Sequence, residues 1–254
     1  MCILFLAIKQ DPDFPLIILA NRDEFHSRPT GKAQFWKENS NVLGGIDEKD
    51  GGTWLGITKL GRISALTNYR NIPLHKDGRI SRGFLVKDFL FSEENPKNYL
   101  EGIISKRENY NPFNLLVGNP NELYVYNNVS NELRKLENGF HGLSNAFLNS
   151  PWPKLCNGVE NLKKQIITGN IDKDEFFRIM KDETKAPDNL LPDTGVGLEK
   201  ERFLSSIFIK DEIYGTRTTA VILLDKENKI YFEERTYNGQ GIETGRVDYN
   251  FKIS

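Results

Sequence analysis

Two apolar runs open the chain. Ile3-Leu4-Phe5-Leu6-Ala7-Ile8 is followed by a break at Asp11-Pro12-Asp13, and Leu16-Ile17-Ile18-Leu19-Ala20 then ends in Asn21-Arg22-Asp23-Glu24. Short apolar runs bounded by turn residues predict strands. Antiparallel pairing about the turn brings Cys2 to the same end of the sheet as residues 21–24. That polar cluster is expected at a sheet end, outside the core. Residues 25–50 carry His26, Arg28-Pro29 and Trp36 without a regular period, which predicts a loop folded over the sheet end. Residues 51–58 and 62–68 flank a turn at Lys59-Leu60-Gly61 and predict a second hairpin.

Helical spacing follows. Residues 81–92 carry Phe84, Leu85, Phe89 and Leu90, and residues 96–107 carry Tyr99, Leu100, Ile103 and Ile104. Asn95 is placed to cap the second of these, with Pro96 at its first position, where a missing N–H costs nothing. Residues 114–117 and 122–126 predict a hairpin across Asn119-Pro120-Asn121, with a further strand at 132–136 and a short edge at 142–145. The strongest helix is 153–168, where Leu155, Val159, Leu162 and Ile166 form one stripe and Gly169 ends it. Cys156 lies beside that stripe and is expected to be structural. Asp172 and Glu175 open a helix to about 182 in the manner of a capping box. Residues 186–199 are Pro/Gly-punctuated and predict a loop, and strands are expected at 206–209, 216–224 and 229–234. Hairpins and helix pairs in this order predict a fold of the α/β (α+β) class: a four-layer αββα sandwich of two mainly antiparallel sheets. The chain 1–254 is expected to form one such domain.

Composition narrows the function classes. The 254 residues carry a net charge of -1, which excludes a strong general attraction to nucleic acid or anionic membrane. No apolar run approaches the ~20 residues of a spanning helix, so no integral membrane segment is expected. Two cysteines, Cys2 and Cys156, make no disulfide framework and favour a reducing, cytoplasmic setting. His26, His75 and His141 lack metal-ligand spacing, no Cys-x-x-Cys-His haem attachment occurs, and no glycine pattern matches a nucleotide-binding loop. No cofactor is expected.

The chemistry-bearing feature is Cys2. Methionine aminopeptidases remove Met1 when a small residue follows, which would leave residue 2 with a thiol and a free α-amine. The thiol ordinarily titrates near about 8.5 and the amine near about 7.7–8.0, so one residue supplies nucleophile and general base. Arg22 nearby favours the thiolate.

Asn21-Arg22-Asp23-Glu24 resembles the signature of the NRDE, or transport-and-Golgi-organisation, family. Blocks at 51–56, 65–68, 81–83, 142–145, 152–154 and 215–217 resemble that family's blocks in the same order. The family in turn is similar to N-terminal-nucleophile (Ntn) hydrolases of the penicillin V acylase and bile salt hydrolase branch. That resemblance implies an αββα fold, Cys2 as nucleophile, Asn68 and Asn145 as oxyanion donors, and Arg217 as a late-strand arginine in the site. The acylases space their second-strand residues Arg-x-x-Asp. Here either Arg22 and Asp23 take those parts, or Asn21 and Glu24 hold the matching positions. The candidate site is therefore Cys2, Asn68, Asn145, Arg22 and Asp23 for catalysis, with Asn21, Glu24 and Arg217 for substrate binding. Two functions are open: an amide or thioester acyl hydrolase, and a carrier for haem or acyl-CoA in the same cleft, as the family's associations imply.

Overall fold

The computed structural model describes residues 2–169 and 171–253. Met1, whose removal the sequence leads us to expect, lies outside the described residues. Strands β1 (Cys2–Ile8) and β2 (Leu16–Phe25) pair antiparallel, with Cys2 opposite Arg22. They sit at the centre of a six-stranded sheet whose other members are β10 (Gly139–Leu143), β11 (Tyr214–Leu224), β12 (Lys229–Tyr237) and β13 (Glu243–Lys252), in the order β10-β1-β2-β11-β12-β13. A seven-stranded sheet runs in sequence order through β3 (Thr30–Phe35), β4 (Val42–Asp47), β5 (Leu55–Thr58), β6 (Ile63–Asn68), β7 (Phe113–Asn119), β8 (Glu122–Asn127) and β9 (Glu132–Lys135). Every strand pairing is antiparallel.

The period-two alternation of β1 and β2 explains the layers. Leu4, Leu6, Ile18 and Ala20 face the second sheet in a core that includes Leu43, Leu55, Ile57, Ile63 and Leu116. Ile3, Phe5, Ile17 and Leu19 face the other way, against α3 (Pro153–Ile167) and α4 (Lys173–Met180). Strands buried on both faces must be apolar at consecutive positions, which is how β1 and β2 read. On the far side, α1 (Gly83–Phe91) and α2 (Pro96–Ser105) cover the seven-stranded sheet through Leu85, Phe89, Leu100 and Ile103. Asn95 caps α2 by accepting from the Lys97 amide at 2.9 Å. The four-layer αββα sandwich is as expected.

Several elements differ from the sequence reading. Residues 25–50 are not a loop: they hold β3 and β4. Gly44 and Gly45 conceal β4, because a strand built through two glycines has little intrinsic preference. They are there for contact: a side chain on Gly45 would meet the Trp54 ring at 2.2 Å. Residues 206–209 are buried but form no strand. Single bonds satisfy that backbone, such as Phe208 N to Asp182 O at 2.8 Å and Thr216 N to Ile209 O at 2.8 Å. Within 186–199 the loop ends early, in a short helix α5 (Leu198–Phe203). Cys156 is exposed on the outer side of α3, not part of its core stripe. No helix among the described residues is long and apolar enough to cross a membrane.

Candidate active site

At the end of the sandwich where β1 starts and β2 finishes, the two sheets part around a cavity of about 230 Å³. Cys2, Arg22, Asp23 and Glu24 enter it from the first sheet, and Thr53, Trp54, Leu66 and Asn68 from the second. Asn68 is the last residue of β6, and its side-chain amide has no protein partner among the described residues. Arg22 shares the inter-sheet face with Cys2. It is nearly buried, donates to Thr30 Oγ1 at 3.1 Å and lies 4.3 Å above the Trp54 ring. The cluster at residues 21–24 stands at a sheet end as expected, but not outside the core: Asn21, Arg22 and Asp23 are only 1, 5 and 2% exposed.

Alternation separates the members of that cluster. Asn21 points away from the cavity. Its Nδ2 donates to Met180 O at 2.8 Å and Ile207 O at 3.0 Å, and its Oδ1 accepts from Thr219 Oγ1 at 2.6 Å. Asn21, expected to bind substrate, instead ties β2 to the helical layer. Asp23 accepts from Thr216 Oγ1 at 2.7 Å. Burial raises the Asp23 pKa, while the buried Lys154 ammonium and the Thr216 hydroxyl draw it down. Lys154 donates to Leu204 O at 2.9 Å, and desolvation brings it down to about 8.

Asn145 and Arg217 also stand outside the cavity lining. Asn145 Nδ2 donates to the backbone oxygen of Asn68 at 2.9 Å, and the Arg70 amide donates to Asn145 O at 2.7 Å. Its amide positions Asn68; no contact places it at the thiol. Arg217 occupies the irregularity between Thr216 and Thr218 in β11. Its guanidinium donates to Phe25 O, Arg28 O and Thr30 Oγ1, fastening the 25–30 segment, from which Arg28 enters the cavity. None of the three histidines lines the cavity. No cluster of three or more metal-ligating side chains occurs among the described residues.

The Cys2 thiol is not a ready thiolate in this environment. Burial pushes it up to about 11, with Asp23 and Glu24 acting in the same direction. Arg22 pulls it down, as the sequence suggests, but desolvation is the larger effect.

The family model described as Transport and Golgi organisation 2 matches residues 1–239. The chain belongs to that family. Transport and Golgi organization protein 2 homologs from Homo sapiens and Bos taurus are 35% and 34% identical, over 93% and 94% of both chains respectively. The Drosophila melanogaster Transport and Golgi organization protein 2 is 30% identical over 94% of this chain and 93% of its own. Among solved structures, the C2A mutant of conjugated bile acid hydrolase from Clostridium perfringens superposes with a TM-score of 0.53 at 14% identity, over 100% of this chain and 97% of that one. The Caenorhabditis elegans ortholog of N-acylethanolamine-hydrolyzing acid amidase gives 0.50 at 11% identity, over 87% and 92%. At these identities the likeness establishes the fold, which is that of the Ntn hydrolases.

In this Transport and Golgi organisation 2 family member the 51–56, 65–68 and 81–83 blocks contribute to the cavity lining, whereas 142–145, 152–154 and 215–217 do not. Gly52 packs on Gly83 so closely that a side chain there would stand 2.5 Å from the Gly83 carbonyl carbon, and the Thr53 amide donates to Gly83 O at 3.2 Å. The 51–56 block thereby seats the start of α1, bringing Arg79, Ser81 and Arg82 to the cavity wall. Those residues, Arg28 and Lys154 were not singled out as site residues from sequence. Arg82 and Lys154 lie within recognised blocks, which was the available signal. Arg28 makes a bidentate pair with Asp47, at 2.6 Å through Nη2, and reaches Asp50 at 2.8 Å.

Proposed function

We propose that this chain is an acyl hydrolase acting on amide or thioester bonds, with Cys2 as nucleophile once Met1 has been removed. The observation that carries this reading is the convergence of Cys2, Arg22 and Asn68 on one cavity at the open end of an Ntn-hydrolase fold. The whole chain 1–254 acts as one catalytic unit in this reading. The α-amine of residue 2 takes the thiol proton, and the sulfur attacks the substrate carbonyl. The oxyanion that forms is met by the uncommitted Asn68 amide, a donor of a kind that contributes roughly 3 kcal/mol in a comparable site. Collapse expels the amine or thiol, which receives the proton, and water then cleaves the acyl-thioester. Asn145 holds Asn68 and Arg22 holds the cavity wall. Asp23, tied to Thr216 beneath the cluster, sets the local charge. Glu24 lines the entrance.

The test is direct. Native protein should lack Met1 by intact mass and should release acid from a panel of acyl amides and thioesters, and Cys2→Ala should abolish release. A retained methionine in cells with active processing, or release unaffected by Cys2→Ala, refutes the reading. A second reading, a carrier for haem or acyl-CoA without turnover, draws support from the arginines of the cavity wall, which suit phosphate or carboxylate groups. It predicts full ligand binding by Cys2→Ala and no turnover by wild type.

A further inference from the structure

Four arginines line the cavity: Arg22, Arg28, Arg79 and Arg82. They are not equivalent. Arg28 is neutralised by Asp47 and Asp50, which are thereby committed. Arg22 is fixed by Thr30 and the Trp54 ring. Arg82 is half-buried and donates to one acceptor, Pro112 O at 2.8 Å, with no carboxylate within ion-pair distance among the described residues. Arg79, also half-buried, has neither a hydrogen bond nor an ion pair to protein among the described residues.

The remaining acids of the cavity form no ion pair with them among the described residues, although the Glu24 charge favours the guanidinium of Arg82 from a distance. Asp23 accepts from Thr216, and Glu24 accepts from the adjacent Phe25 amide at 2.9 Å. Burial disfavours the charge on Arg82. Half-buried guanidinium groups with donors left over offer an entering anion charge-assisted hydrogen bonds in a partly desolvated setting. Arg82 is the residue that caps the nine-residue α1 and Arg79 precedes it by three residues; Ser81, Arg82 and Gly83 line the same wall, where the helix dipole adds positive potential.

We propose that the substrate of this cavity is a small acyl compound bearing a carboxylate, and that Arg79 and Arg82 together bind that carboxylate. The proposal rests on the hydrolase reading for the word substrate, but its test is a binding test and stands apart from turnover. Two sources of the anion are separable. N-acetylglycine carries the carboxylate on the leaving side, and N-acetylglycinamide is its neutral counterpart. Succinamate carries it on the acyl side, with succinamide as counterpart.

Affinities of the four compounds for the full chain carrying Cys2→Ala, which prevents consumption, are measured by calorimetry or ligand-detected NMR. At least one acid should bind about ten- to a hundredfold tighter than its neutral partner, the range expected for a charge-assisted contact. Adding Arg79→Gln or Arg82→Gln should each erase that preference. Arg82→Gln also removes the tie to Pro112 O and is checked by thermal melting; Arg79→Gln breaks no protein contact and keeps the test decisive if Arg82→Gln folds poorly. Equal affinities in both pairs, no saturable binding of either acid up to about 10 mM, or a preference that survives Arg79→Gln overturns the proposal. Release of acid from the same compounds by the chain with Cys2 intact is read separately. Its absence alongside an intact preference removes the hydrolase reading and leaves the anion site standing.

Discussion

Asn21→Ala should cost stability and spare the cavity, although Asn21 heads the signature tetrapeptide. The side chain is 1% exposed and makes three hydrogen bonds, at 2.6, 2.8 and 3.0 Å, none of them to a cavity residue. Truncation leaves the Met180 and Ile207 carbonyls without this donor and the Thr219 hydroxyl without its acceptor. A buried polar group deprived of its partner costs about 1–3 kcal/mol, and the hydroxyl can turn to another acceptor, so a total of about 3–5 kcal/mol is expected. For a chain of this size each kcal/mol lowers Tm by roughly 2–4 °C, which places the shift near ~10 °C.

Asn21→Asp is a sharper probe, because it keeps the shape and reverses the polarity. Its carboxylate would face two carbonyls, so its folded pKa should rise above the unfolded value of about 3.9. Stability should then be greatest at low pH and be lost as pH rises through the folded pKa. The assays are thermal melting by circular dichroism and, well below the melt, the rate of Cys2 alkylation as a readout of the cavity. A melt within about 2 °C of wild type, combined with an altered alkylation rate, would show that Asn21 acts in the cavity and that the strand alternation has been misassigned.

Other outcomes follow from the same geometry. In the chain that retains Met1, exposed Cys156 should alkylate faster than Cys2, and Cys2 labelling should keep rising with pH towards about 11; peptide mapping after limited alkylation checks both, and faster labelling of Cys2 at neutral pH contradicts the burial argument. Glu234, buried on β12 and accepting from Ala33 N of the opposite sheet at 2.8 Å, is raised from 4.5 to about 7. Its stabilising contribution is complete below 4.5 and lost as pH rises through 7, a change of about 3 kcal/mol. Glu234→Gln should remove that dependence, so its effect on the urea midpoint should differ between about pH 5 and pH 8, and equal changes at the two refute the reasoning. Gly52→Ala, which drives a methyl into the Gly83 backbone at 2.5 Å, should cost about 1–3 kcal/mol and disturb anion binding at Arg82; a variant with wild-type melting and binding refutes the close-packing account.

How far the chain disclosed itself depended on how completely each element is buried. β1 and β2 are covered on both faces, so their apolar runs are continuous and unmistakable. β13 is exposed at every second position; Val247, Tyr249 and Phe251 alternate with polar residues, so its period-two signal is diluted by charged neighbours and no strand is expected there. β4 was hidden by the glycines that admit Trp54. The apolar stretch at 206–209 predicted a strand because burial resembles pairing in sequence, although single bonds satisfy its backbone. The site divides in the same way. Cys2, Arg22, Asp23 and Glu24 could be placed at one sheet end because a hairpin fixes its own register, whereas Asn68, on the other sheet, is reached only through the family resemblance. Asn21 could not be sorted into cavity or scaffold, because a polar tetrapeptide does not say which residue faces which layer, and Asn145 and Arg217 are named through the resemblance, which carries no orientation. Arg79 and Arg82 are held at the cavity by contacts between distant segments, among them Gly52 on Gly83 and the Ile80 amide on Asn109 O, which a linear sequence does not display.

The partly buried thiol bears on how such a site is switched on. With a thiol at about 11, roughly one molecule in ten thousand is a thiolate at neutral pH, against a few per cent for an ordinary cysteine. Arg22 does not reverse this, being held over Trp54 and opposed by Asp23 and Glu24. Burial of a nucleophile is compatible with catalysis only if the base that deprotonates it is inside the same desolvated space, where proton transfer leaves no separated charge to solvate. None of the histidines lines that space. The α-amine of residue 2 is the one base that removal of Met1 would create there, attached to the nucleophile itself. Processing would therefore do more than trim the chain: it would convert an inert, desolvated thiol into a thiol–amine pair. The difference in Cys2 alkylation between the methionine-bearing and processed chains at neutral pH measures that conversion. A ratio near one would mean that the amine does not reach the sulfur and that the cavity is built to bind, not to cleave.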